Sequence, residues 1–186
     1  MERAVIQLTT QEQLKIFMDP LRQRLLRTLS ALGEPATAKQ LADRLGITPS
    51  SAKHHLTRLE SIGLVALHHT RQIRGITASY YQLSPVTVRL GLEKGAYADQ
   101  RQLLAESLLM GVFQGVQQYM EYYRQLENPP EKCPAELTTG VVHLTPHHAL
   151  ALRELIQTFV ESHETAGPDT IPYEYALMAY PVERQP

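Results

Sequence analysis

One cysteine, Cys133, stands in 186 residues, so no disulfide can close within the chain. That usage suits a reducing compartment, and Glu131 and Glu136 beside it oppose thiolate formation. Long apolar runs are also missing: nothing approaches the ~20 residues needed to span a bilayer, and the run after Met1-Glu2-Arg3 is too short for a secretory leader. The 10 glycines form no phosphate-cradling loop, and neither a nucleophile elbow nor a spaced carboxylate pair occurs. A cytoplasmic chain is expected, with no enzymatic activity, no cofactor and no membrane partner.

What is present supports a folded core, since 43% of the residues are hydrophobic. Charge is divided unevenly. Residues 1–84 hold 11 Lys and Arg against 6 Asp and Glu, whereas residues 85–186 hold 7 against 13. A basic half joined to an acidic half suggests that the first meets a polyanion and the second does not. The break falls near Ser84-Pro85, which divides the chain into a domain at 1–84 and another at 85–186.

Within the basic half, residues 38–65 read as two short amphipathic helices, a tight turn between them, and a strand. The turn Leu45-Gly46-Ile47-Thr48-Pro49 supplies a glycine where the first helix stops, then an N-cap and a first-turn proline for the second. Thr37 and Gln40 have capping-box spacing for the first. At ~100° per residue, Ala52, Leu56 and Leu59 share one face of the second helix, and Ser50, His54, Thr57 and Arg58 lie opposite, flanked by Ser51 and Lys53. This outer face carries no carboxylate before Glu60. Hydroxyl, imidazole and cationic groups are those that meet phosphate oxygens and base edges.

Residues 64–70 and 77–83 read as the strands of a ribbon whose basic tip is Arg71-Gln72-Ile73-Arg74-Gly75. Arg71 and Arg74 suit phosphates or the minor groove. Helix-turn-helix and ribbon together outline a winged helix-turn-helix, which points to double-stranded DNA. Upstream, Leu14 and Phe17 on a helix capped by Thr9 and Glu12, and Leu21, Leu25, Leu29 and Leu32 on one opened by Asp19-Pro20, supply its core.

The run Asp19-Pro20-Leu21-Arg22-Gln23-Arg24-Leu25-Leu26, the turn, Ser51-Ala52-Lys53-His54-His55-Leu56, Gly63-Leu64-Val65 and Tyr80-Tyr81-Gln82-Leu83 resemble the ArsR-like winged helix-turn-helix repressors of bacteria. The resemblance covers roughly residues 8 to 84. It implies a homodimeric transcription regulator whose second helix of the pair enters the major groove, with His55 as a packing residue. The paired cysteines of the family's metal sensors are missing from 41–45, so their sensing chemistry is not carried over.

In the acidic half, 86–92 is ambiguous between strand and helix, with Val86, Thr87 and Val88 favouring strand. A long helix at 96–126 carries two apolar stripes, Leu104, Leu108, Val112 and Tyr119 on one and Leu109, Phe113, Val116, Met120 and Tyr123 on the next. Gly111 and Gly115 share a face that would admit a crossing helix of the same domain or a helical dimer seam. Residues 137–144 and 171–180 read as strands, the latter with Tyr173, Tyr175 and Leu177 on one face, either packed or lining a ligand pocket. Between them Thr145-Pro146 opens a helix to about 163, with Leu150, Leu152, Leu155, Ile156 and Phe159 inward.

The fold expected is therefore α+β and helix-rich: an N-terminal winged helix-turn-helix, and a small C-terminal α/β dimerisation or sensing domain with a long helix. The function expected is a sequence-specific DNA-binding transcriptional regulator, a homodimeric repressor reading an inverted repeat, with a small-molecule effector possible. Its DNA-binding set is Ser50, Ser51, Lys53, His54, Thr57, Arg58, Arg71 and Arg74. Two alternatives stand beside it. One is a protein-interaction module built on the same fold. The other is a metal-responsive regulator using His143, His147 and His148, although no acid at ligand spacing joins those imidazoles. His68 and His69 are expected on opposite faces of the ribbon strand, unable to share an ion.

Overall fold

The computed structural model describes residues 4–73, 75–90, 95–131 and 133–182. The chain runs β1 (Ala4–Gln7), α1 (Gln11–Met18), α2 (Pro20–Leu32), β2 (Ala36–Thr37), α3 (Ala38–Leu45), α4 (Pro49–Glu60), β3 (Val65–Ile73), β4 (Ile76–Leu83), β5 (Val86–Arg89), α5 (Ala98–Arg124) and α6 (Pro146–Ser162).

Local chemistry sets most helix boundaries. Asp19 caps α2 by accepting from the amides of Leu21 and Arg22, each at 3.0 Å, and Pro20 occupies the first helical position where no amide partner is required. Thr37 and Gln40 form the expected capping box on α3. On α1 the box is one residue later than Thr9 and Glu12: Thr10 is the cap and Gln13 its partner. Both pairs have the same spacing, but Gln13 Oε1 accepts from the amides of Thr9 and Thr10 together, each at 3.1 Å, which satisfies one more donor.

The core lies where α1, α2, α3 and α4 meet the three-stranded antiparallel sheet, whose order is β2-β4-β3. Leu14, Leu25, Leu41, Leu56, Leu59 and Tyr81 are all 2% exposed or less. Leu21 and Leu32 are half-buried at its margin. β1 has no counterpart in the sequence reading, and it pairs in parallel with β5, Ala4 opposite Val86. That pairing resolves 86–89 as a strand. It also extends the N-terminal core past Ser84, because Val86 and Val88 pack against it and Leu104 of α5 is buried in it.

Two sequence expectations for the C-terminal half are corrected. Residues 137–144 and 171–180 carry no regular secondary structure and no ladder pairing, so the strands of the expected small α/β domain are not formed. A strand exists through ladder hydrogen bonds, and no neighbouring edge among the described residues receives these segments. Likewise Leu150, Leu152, Leu155 and Phe159 of α6 do not face inward but are exposed, since no apolar layer among the described residues covers them. On α5 only Leu104 is fully buried, and the rest of its apolar stripes stay open or half-covered. Among the described residues no helix is long and apolar enough to cross a membrane.

Candidate nucleic-acid interface

The helix pair is built by its turn. Gly46 ends α3 at φ +67° and its amide bonds the Ala42 carbonyl, a left-handed conformation that favours glycine. Thr48 then caps α4 by accepting from the Ser51 amide at 3.2 Å, and Pro49 is the first helical residue. Ala52, Leu56 and Leu59 are buried, which turns the opposite side of α4 outward. Ser50, Lys53, His54 and Thr57 are exposed, with Ser51 and Arg58 half-buried at its edges.

The cations of this face are differently engaged. Lys53 donates to the Tyr81 hydroxyl, which draws its ammonium toward the ribbon. Arg58 points the other way, where Nη2 donates to Glu12 Oε1 at 3.1 Å across the gap to α1. Arg71 is exposed on β3 opposite Ala78 and has no ion-pair partner among the described residues. Arg74 lies outside the described residues. The structure thus brings Lys53 to the ribbon but separates Arg58 from it.

Between the ribbon and the helix pair runs an open groove of about 570 Å³, lined by Thr37, Lys39 and Gln40 at the start of α3, Lys53 of α4, and Ile73, Ile76 and Tyr80 of the ribbon. Lys39 is absent from the sequence-derived set, although its position two residues past the Thr37 cap signals an outward first-turn cation. It is exposed and held by Asp43 at 2.7 Å.

The two adjacent histidines on α4 differ. His54 is exposed, and its ring meets that of His55 edge-on at 5.3 Å. His55 is half-buried, and its Nδ1 lies 3.9 Å from Asp19 Oδ1 with no hydrogen-bond partner among the described residues. Burial pushes its pKa below the ordinary 6.5; Asp19 works against that shift, and the charges of Arg22 and His54 reinforce it.

On the ribbon, a bulge between Leu67 and His69 interrupts the alternation of faces. His68 and His69 therefore do not diverge as expected; their Nδ1 atoms lie 2.7 Å apart, and His69 stacks on Tyr80 at 4.4 Å. The rings of His147 and His148 are 5.8 Å apart. No group of three metal-ligating side chains is brought together among the described residues.

Helices joined by a glycine turn and followed by a two-stranded ribbon define a winged helix-turn-helix. Residues 17–68 match the family model of a helix-turn-helix domain, the span from the end of α1 into β3. That domain points to a DNA-binding transcription regulator. No curated protein matches the chain.

Proposed function

We propose that the protein is a sequence-specific transcription regulator, an ArsR-like bacterial repressor that binds an inverted repeat as a homodimer. Residues 1–84 form its DNA-binding domain and 85–186 its dimerisation or effector domain; it is cytoplasmic and not an enzyme. Each copy lays α4 in a major groove, half-site centres ~34 Å apart. Ser50, Ser51, His54 and Thr57 meet base edges, and Lys53, Arg58, Arg71 and Arg74 supply phosphate contacts. The observation that carries this reading is the exposed, carboxylate-free outer side of α4 at Ser50, Lys53, His54 and Thr57, presented by a helix-turn-helix domain.

The test is selection of bound duplexes from a random pool with the purified protein. The expected product is an inverted repeat whose binding weakens steeply with salt. Recovery of no enriched duplex, with binding indifferent to polyanions, defeats the proposal.

A further inference from the structure

We infer that α5, α6 and the irregular segments 137–144 and 171–182 form an intertwined interface with a second copy of this chain, and that these segments become paired strands there. The inference deepens the homodimer part of the proposed function by naming the surface.

Area is the first ground. The chain exposes 14422 Å², whereas a compact monomer of 21.0 kDa exposes ~9,000 Å². Permanent homodimers bury about 2,000 to 5,000 Å² over both partners together. Counted over two copies the excess is roughly 10,000 Å², above that range, which calls for an interface larger than two flat faces pressed together conceal.

Exposed large apolar side chains are concentrated in the C-terminal half. Leu155 is 68% exposed and Phe159 64%, on the helix that makes no substantial contact with any other element. Phe113 and Met120 are open on α5. Apolar patches of that extent mark surfaces that are covered in the working protein.

The backbone supplies the second, independent ground. Ile171, Tyr173, Tyr175 and Leu177 alternate with period two, the pattern of a strand with one apolar face. Yet the segment has no ladder partner among the described residues. A second copy presents the same two segments and the same helices, so a twofold arrangement can pair strands and bury both apolar faces with one set of contacts.

Other occupants fit less well. The 13 acidic against 7 basic residues of 85–186 repel an anionic membrane or a nucleic acid. A small ligand covers a few hundred Å² at most.

Sedimentation of the full chain without DNA tests the inference independently of operator binding. The expected species has twice the 21.0 kDa chain mass down to nanomolar protein. Paired Leu155→Asp and Phe159→Asp substitutions should weaken self-association roughly 30-fold or more. Hydrogen exchange should find the amides of 171–180 protected in the dimer and released by Leu177→Pro, with Leu177→Val leaving them protected. Continued protection of the amides around Leu41 and Leu56 shows that each variant remains folded. A monomer at micromolar concentration overturns the inference, and so does a dimer indifferent to the α6 substitutions or one whose 171–180 amides exchange freely. Co-purification of a different protein in place of the second copy also overturns it. A dimer that binds no duplex would defeat the DNA reading and leave this one intact.

Discussion

The guanidinium of Arg27 on α2 meets the carboxylate of Glu174 at 2.7 Å, above Gly111 of α5. A methyl group added at Gly111 would overlap that guanidinium, and one at Gly115 would lie 3.3 Å from Glu174 Oε2. The glycine pair therefore floors an ion pair between the basic and acidic halves, and side chains rather than a second helix occupy the close approach that the glycines allow.

Gly111→Ala follows from that geometry. The overlapping atoms end a flexible side chain, so Arg27 swings aside and the ion pair is lost. Its side chains are 38% and 44% exposed, which limits the loss to about 0–1 kcal/mol. Replacing a mid-helix glycine by alanine returns ~1 kcal/mol. Urea unfolding at matched protein concentration should find the variant between equal to the parent and about 1 kcal/mol more stable, whereas Glu174→Gln, with no helix gain, should be slightly destabilising. A Gly111→Ala loss of several kcal/mol would mean that a rigid element packs there.

Glu12 holds Arg58 away from the outer face of α4, and both side chains are largely solvent-accessible, 72% and 42% exposed. Glu12→Ala should therefore unfold nothing. On the proposed function it frees a cation and deletes a nearby anion, so operator affinity should rise several-fold at low salt, with the salt slope steeper by about one unit per phosphate gained. Arg58→Ala should cancel the gain. Fluorescence titration of both variants and the double variant across salt measures it, and an Arg58→Ala chain with unaltered slope removes Arg58 from the interface.

The parts of this fold legible in the sequence are those whose causes lie within a few residues. Thr37 with Gln40, Asp19 with Pro20, Thr48 with Pro49, and Thr145 with Pro146 are caps satisfied by amides two or three positions on, and each opens the helix it suggested. β1 was not legible because its partner, β5, is most of a domain away. The period-two pattern at 171–180 describes a face, not pairing, and pairing depends on an edge that the pattern itself does not name. The outer face of α4 was readable from angular spacing. The Glu12–Arg58 bridge was not, since it depends on how α1 crosses α4, and the convergence of His68 with His69 depends on a bulge that no alternation rule contains.

Gly46 isolates the conformational requirement of the turn. A Cβ there would meet nothing within 4 Å, so a substitution is penalised by backbone conformation alone at φ +67°. Gly46→Ala should cost about 1–2 kcal/mol, and Gly46→Asn less, because asparagine tolerates the left-handed region. Chemical denaturation should rank the variants in that order, with the β-branched Gly46→Val least stable. Equal stability of all three would show that the turn relaxes to another conformation.

His55 gives the domain a pH dependence whose sign can be worked out. Burial lowers its folded pKa below 6.5, against the pull of Asp19 and with the push of Arg22 and His54. As pH falls through 6.5, the unfolded chain takes up the proton before the folded one does, so protonation favours unfolding. The contribution of neutral His55 is therefore complete above 6.5 and is lost between that value and its lower folded pKa. His55→Gln cannot titrate, and its stability should fall less than the parent's between neutral and mildly acidic pH. His54→Gln, at an exposed site, should leave most of the acid sensitivity in place. Urea midpoints across that range decide it; a parent and His55→Gln variant that lose stability in parallel would assign the acid sensitivity to other groups.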